Sequence, residues 1–119
     1  MIKWKGSLPV KTEPTDKILS LLGLSRRAGK LVGGFDLVCE KVREGKTYLV
    51  LAAADISEKT YKNLKFEAEK QNVPSARLSA DMTAVGKACG MKAGVAAVTD
   101  RGFAAALQKL IRESTEGGI

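Results

Sequence analysis

Residues 47–58 read Thr47-Tyr48-Leu49-Val50-Leu51-Ala52-Ala53-Ala54-Asp55-Ile56-Ser57-Glu58, and this stretch decides the fold. Thr47 to Ala53 is the clearest strand in the chain. It is apolar on both of its faces, which a strand becomes only when helices cover each side of its sheet. Asp55 and Glu58 follow at capping-box spacing, so a helix is predicted to open there, with Asp55 as its cap. Tyr61, Leu64 and Ala68 form its inner face, and Asn72-Val73-Pro74 ends it. Phe66 falls outside that stripe.

Working outward, the same alternation repeats. Upstream, Thr15 or Asp16 caps a first helix with Ile18, Leu21, Leu22 and Ser25 on its buried face, ending near Ala28-Gly29. Lys30 to Gly33 reads as a short strand. Gly33-Gly34 then turns into a second helix with Phe35, Val38, Cys39 and Val42 at helical spacing, stopped by Gly45. Downstream, Ala76-Arg77-Leu78 is a short strand. Asp81 caps a fourth helix that exits at Cys89-Gly90. Its internal Gly86 points to a close backbone approach, either to another helix or to a ligand. Gly94 to Val98 is the last strand. Asp100 caps a final helix with Phe103, Ala106, Leu107, Leu110 and Ile111 inward.

One helix followed by four strand–helix alternations makes an α/β fold. The expected architecture is a three-layer α/β/α sandwich with a central four-stranded mixed sheet and about five helices. Residues 1–14 carry Pro9, Pro14 and scattered lysines without periodicity and read as a flexible basic tail. Residues 15–116 read as a single domain and 117–119 as a frayed end. There is no internal repeat.

The 119 residues are 45% hydrophobic, which suits one domain. No apolar run approaches the ~20 residues of a membrane span, and the start Met1-Ile2-Lys3-Trp4-Lys5 leads into no apolar signal segment. A cytosolic protein is expected. Twenty Lys and Arg against thirteen Asp and Glu give a net charge of +7, which attracts polyanions. Aromatic residues make up only 5%, too few for an extended base-stacking platform.

Catalysis is poorly supplied. The chain has no histidine, so neutral-pH general acid–base work lacks its usual group. No Ser or Cys sits in a nucleophile motif, and Gly29-Lys30-Leu31-Val32-Gly33-Gly34 does not match a Walker loop. Cys39 and Cys89 stand alone and read as small buried apolar residues. No enzyme activity, cofactor or metal is expected. Binding is better supported. In an alternating α/β sheet the strand-to-helix turns gather at one edge, which would make neighbours of Gly33-Gly34, Ala54-Asp55 and Ser79-Ala80-Asp81. Each turn would present free helix-start amides to a phosphate backbone. Arg26, Arg27, Lys30, Lys87 and Lys92 would flank them, and Met82 would lie against a splayed-out base.

Three segments carry a resemblance. They are Leu21 to Lys30, Leu49 to Ser57, and Val85-Gly86-Lys87-Ala88-Cys89-Gly90. In this order they resemble the kink-turn RNA-binding ribosomal protein superfamily of the seven-Ae and thirty-e type, and within it the bacterial YlxQ-like branch. The likeness runs from about Ile18 to Ile111. It implies an α/β/α sandwich and a non-enzymatic, RNA-binding role on kink-turns, which are sharply bent duplexes with tandem G·A pairs.

The resemblance also implies which residues bind. Gly33 matches a glycine of the family's turn, and Asp36 matches its Glu, which accepts from a guanine amino group. Phe35 stands where Asn is usual and Cys39 where Lys is usual, so two polar readers are missing. Asp55 matches an acidic position near the site. Gly33, Gly34, Asp36 and Lys30 would dock one side of the bend. Leu78, Ser79, Asp81, Met82 and Thr83 would hold the extruded nucleotide, and Lys87 and Lys92 would supply backbone charge. Structured RNA of kink-turn type, ribosomal or regulatory, is the implied partner, with the ribosome as a candidate setting. Neither a membrane nor DNA is expected. The rival expectation is a protein-interaction module of the same fold that has lost specific RNA binding, which an exposed Phe35 would favour.

Overall fold

In the computed structural model, residues 14–90 and 94–117 are described, with side chains from 16 to 113 within them. The expected basic tail, apart from Pro14, therefore lies outside the described residues, as do Lys92 and the last two residues. Five helices and four strands alternate: α1 (Pro14–Arg27), β1 (Leu31–Gly33), α2 (Phe35–Arg43), β2 (Leu49–Ala52), α3 (Glu58–Lys70), β3 (Ser75–Arg77), α4 (Met82–Cys89), β4 (Val95–Val98) and α5 (Arg101–Gly117).

The strands form one sheet in the order β1-β4-β2-β3. β2 and β3 are parallel, whereas β4 runs antiparallel to both β1 and β2. The sheet is therefore mixed, as expected. β2 and β4 are central and every residue in them is buried, which is why both read as unbroken apolar runs.

Strand alternation divides the core in two. Leu49 and Leu51 with Ala96 and Val98 face one cluster, which holds Ile18 and Leu22 of α1, Val85 and Cys89 of α4, and Ala104 and Leu107 of α5. Val50 and Ala52 with Val95 and Ala97 face the other, which holds Val38 and Val42 of α2 and Leu64 and Ala68 of α3. This is the three-layer sandwich.

α4 does approach another helix closely, but the glycine that permits it is Gly23 of α1, which faces Ala88, and not the Gly86 that the sequence singled out. A Cβ at Gly23 would stand 2.7 Å from the Ala88 carbonyl oxygen, so only glycine lets the two backbones meet. The expected helix caps are partly corrected. Asp81 Oδ1 accepts from Ala84 N–H at 2.8 Å and Asp100 Oδ2 from Phe103 N–H at 2.9 Å, as expected. The cap of α3 is Ser57, not Asp55: Ser57 Oγ accepts from Thr60 N–H at 3.1 Å. Phe66 is an exposed ring beneath Lys70, whose Nζ lies 4.8 Å from the ring centroid.

Candidate nucleic-acid interface

Because β1, β2 and β3 are parallel and β4 is antiparallel to its neighbours, three strands end and one begins at the same sheet edge. Register places Gly33 beside Ala96, and Ala52 beside both Val95 and Arg77. Backbone bonds then stitch the turns together. Gly34 N–H donates to the Val95 carbonyl (3.1 Å), Ala53 N–H to Gly94 (2.8 Å), Ala54 N–H to Ala80 (2.8 Å) and Leu78 N–H to Ala52 (2.7 Å). The turns at Gly33-Gly34, Ala54-Asp55 and Ser79-Ala80-Asp81 are neighbours.

The three helix starts differ in what they offer. Only α2 begins without a side-chain cap. Its N-cap is Gly34 at φ 101°, a backbone conformation that L side chains rarely adopt. The first turn of α3 is capped by Ser57. That of α4 is closed twice, because Met82 N–H donates to Asp55 Oδ1 at 2.9 Å and Ala84 N–H to Asp81 Oδ1. The expectation of free amides at every turn is corrected: two of the three helix starts are already occupied by the protein's own groups.

Side chains around these turns make a small, mostly polar platform. Asp36, Asp55, Ser79, Asp81 and Thr83 are exposed, and Met82 is 43% exposed. Met82 lies beside Gly94 and Ile56: a Cβ on Gly94 would meet Ile56 Cδ1 at 2.7 Å and Met82 Sδ at 2.9 Å. Arg77, which the sequence analysis left aside, braces the platform from below. It donates to Glu58 Oε2 at 2.7 Å and to the Ile56 carbonyl, and its guanidinium lies 5.0 Å from the Tyr61 ring centroid. The bond from Arg77 holds the Glu58 carboxyl below its usual pKa. A cation at the end of β3 facing an acid at the start of the preceding helix is the signal that could have found this pair.

Five expected contact residues are placed differently. Leu78 is buried in the first core cluster, because the residue that follows β3 turns inward under α4. It can reach a ligand only through its backbone. Lys30 precedes β1, so it stands at the opposite sheet edge from Gly34, about 13 Å away at the rise of a strand. Its carbonyl accepts from Thr99 N–H there. Arg26 and Arg27 end α1 beside it, at that same far edge, so they do not flank the turns either. Phe35 is half-buried and packs on the second cluster, so the ring does not stand free.

Cys39 and Cys89 are both buried, as expected, and burial is the main cause that raises each thiol's pKa. Lys87 is exposed on α4, about 7.5 Å up the axis from Met82. Lys59, exposed at the second position of α3, is a further cation near this edge that the sequence analysis passed over. Among the described residues no group of three or more His, Cys, Asp or Glu could hold a metal ion, and no helix is long and apolar enough to cross a membrane.

The sequence model of the ribosomal protein L7Ae/L30e/S12e/Gadd45 family matches residues 16–108. The chain belongs to this family. The match takes in all three turns at the shared edge. Among curated relatives, the RNA-binding protein YlxQ of Bacillus subtilis (strain 168) is 38% identical over 92 residues, spanning 76% of this chain and 91% of its own length. The RNA-binding protein YlxQ of Enterococcus faecium is 34% identical over 95 residues, spanning 80% and 91%. Solved structures agree on the fold. A protein of unknown function from Bacillus halodurans C superposes with a TM-score of 0.78 at 34% identity, covering 82% of this chain and 98% of that one. A 15.5kD RNA binding protein from Giardia lamblia superposes with a TM-score of 0.67 at 19% identity, covering 87% and 88%. This L7Ae-family sandwich thus keeps its architecture across relatives of low identity.

Proposed function

We propose that the protein is a non-catalytic RNA-binding protein, and that the edge formed by the Gly33-Gly34, Ala54-Asp55 and Ser79–Thr83 turns receives a kink-turn in ribosomal or regulatory RNA. The observation that carries this reading is the stitched edge itself. It unites the uncapped start of α2 with the Met82 platform on elements that hydrogen bonds keep fixed. Two relatives at 38% and 34% identity are named RNA-binding proteins, which supports the same partner.

Each part has a chemical role. The free amides of the first turn of α2, at the positive end of the helix dipole, face a backbone phosphate. Asp36 accepts from a guanine amino group, as the resemblance implies. Met82, Ser79 and Thr83 cup an unstacked nucleotide, the apolar thioether against the base and the hydroxyls on its edges or ribose. Lys87 and Lys59 supply screened attraction to the phosphates on either side. With Asp36, Asp55 and Asp81 present and no Lys or Arg in the described parts of the turns, recognition rests on shape more than on charge at this edge.

The test is a titration of labelled kink-turn RNA and a same-length unkinked duplex at two salt concentrations. Preference for the kink-turn that persists at the higher salt supports the reading. Equal, weak and steeply salt-dependent binding to both would replace it with non-specific attraction by the +7 charge, and would leave a protein partner for the edge.

A further inference from the structure

Three of the cations that the sequence analysis assigned to the kink-turn edge, Arg26, Arg27 and Lys30, stand at the far end of the sheet. At that opposite sheet edge, β2 and β1 begin and β4 ends, and the turn that follows α2 passes beside them. Here lies an open groove of about 410 Å³ lined by Gly29, Val32, Lys41, Lys46, Tyr48 and Thr99, together with Gly45. Its walls are held by backbone bonds: Tyr48 N–H to the Val98 carbonyl, Lys46 N–H to Lys41, and Thr99 N–H to Lys30. Tyr48 is 38% exposed, and the Arg101 guanidinium lies 5.2 Å from its ring centroid. Lys30 borders the groove through its bond to Thr99. Two cations, Lys41 and Lys46, therefore line it, and a third, Arg101, stands over Tyr48. The nearby carboxylates are Glu44, which lies 3.6 Å from Lys41 Nζ and 3.7 Å from Lys46 Nζ, and Asp100, which caps α5.

We propose that this groove is a second RNA-contacting surface, which takes one nucleotide of a single-stranded segment with its base against Tyr48 and its phosphates against Lys41 and Lys46. The proposal takes its partner class from the function proposed above and extends it to the other end of the molecule. A positively charged groove with one accessible ring is the minimum equipment for binding a single strand without sequence preference. The volume admits a base but not a duplex, and a duplex is in any case read by shape across a wide surface. The bridge of Glu44 to the two lysines is partly exposed and of the kind that contributes little, so a phosphate displaces it. An RNA whose bend sits on the Gly34 edge can therefore send a single-stranded extension over the molecule to the Tyr48 edge.

The experiment uses a blunt kink-turn hairpin, the same hairpin with a six-nucleotide single-stranded 3′ extension, and free hexauridine. The full chain is compared with K41Q/K46Q and with Y48A, each confirmed folded by its thermal melt. The extension is expected to tighten binding by the wild-type chain about tenfold, the size of one base–ring stack. Both variants should lose that gain and keep the blunt-hairpin affinity. The salt slope for the extended RNA should fall by about 1.4 in K41Q/K46Q, from two lost phosphate contacts to a single strand.

An extension that adds nothing, or a gain that survives K41Q/K46Q, overturns the proposal. Should the blunt hairpin not bind at all, the kink-turn reading fails by itself, and hexauridine decides the groove: binding abolished by K41Q/K46Q upholds it and no binding overturns it. Hexaglutamate bound as tightly as hexauridine, with no effect of Y48A, would overturn it in favour of an acidic protein partner.

Discussion

The backbone amide of Met82 donates to the carboxylate of Asp55 at 2.9 Å, across 27 positions of sequence. A side chain from the turn after β2 thereby closes the first turn of α4 and fixes where the Met82 platform stands. Asp55→Ala leaves that amide without its partner at an exposed site, so it should cost about 1 kcal/mol, the scale of a lost N-cap. Asp55→Asn keeps an acceptor and should cost less. Urea unfolding of the three proteins measures both. Kink-turn affinity should fall in step with the loosening of α4, and more in the Ala variant.

Two glycines test packing in different ways. A Cβ at Gly23 meets the Ala88 carbonyl at 2.7 Å, which is backbone and cannot step aside. Gly23→Ala should therefore push α1 from α4 and cost about 1–3 kcal/mol, the range for overpacking. A Cβ at Gly94 meets only the ends of Ile56 and Met82, which can rotate. Gly94→Ala should cost less stability than Gly23→Ala yet displace Met82, weakening RNA binding more than melting. The opposite ranking in thermal melts and titrations would show that the edge, not the α1–α4 crossing, is the rigid contact.

The parts of the fold that were legible in sequence are those set by local pattern. β2 and β4 are continuous apolar runs because both their faces are covered, and Asp81 and Asp100 cap helices three residues upstream of the amides they accept from. The parts that were not legible depend on partners distant in sequence. Asp55 has capping-box spacing to Glu58, but its carboxylate turns to α4 and Ser57 takes the cap, while Glu58 turns to Arg77. Leu78 belongs to a turn by position and to the core by side chain, because β3 ends just before it. Of the candidate site, the meeting of the three turns followed from strand direction alone. The charge did not: Lys30 was grouped with Gly33 by closeness in sequence, although a strand between them carries the two to opposite edges.

The Glu58–Arg77 bond predicts a pH dependence. The guanidinium lowers the Glu58 pKa from its ordinary 4.5. A depressed carboxylate contributes stability that is fully present above the unfolded value and is lost as pH falls through the folded one. Wild type should thus lose melting temperature below about pH 4.5 more steeply than Glu58→Gln, which cannot titrate. At pH 7 wild type should be the more stable by the margin that it loses in acid, and that margin should be small, since the carboxylate is exposed and the pair is screened. Parallel acid limbs in melts from pH 7 to pH 3 would show that the pair carries none of the acid sensitivity.

Both thiols should be silent in the folded protein. Cys39 is 2% and Cys89 6% exposed, and burial favours the neutral thiol in each. Since the thiolate is the reacting form, a thiol-specific chromogenic reagent at neutral pH should find no reactive group until guanidinium unfolds the chain, and then two. Rapid labelling of one cysteine in the native state would instead reveal local opening of α2 from α3 or of α4 from α1.

Phe35 sits at the first position of α2, where the family resemblance places an Asn that reads the G·A pairs. Its ring is half-buried against the second core cluster. Phe35→Asn should therefore act in two directions at once. Lost apolar burial should lower stability by about 1–2 kcal/mol, less than the loss of a fully buried ring. The new amide should gain a base-edge hydrogen bond worth roughly tenfold in affinity for a kink-turn. That gain should be absent for an unkinked duplex, which presents no tandem G·A pairs at the α2 start. A variant that is less stable and no tighter on the kink-turn would mean that position 35 faces the core rather than the RNA, and that Asp36 and the amides of α2 act without it.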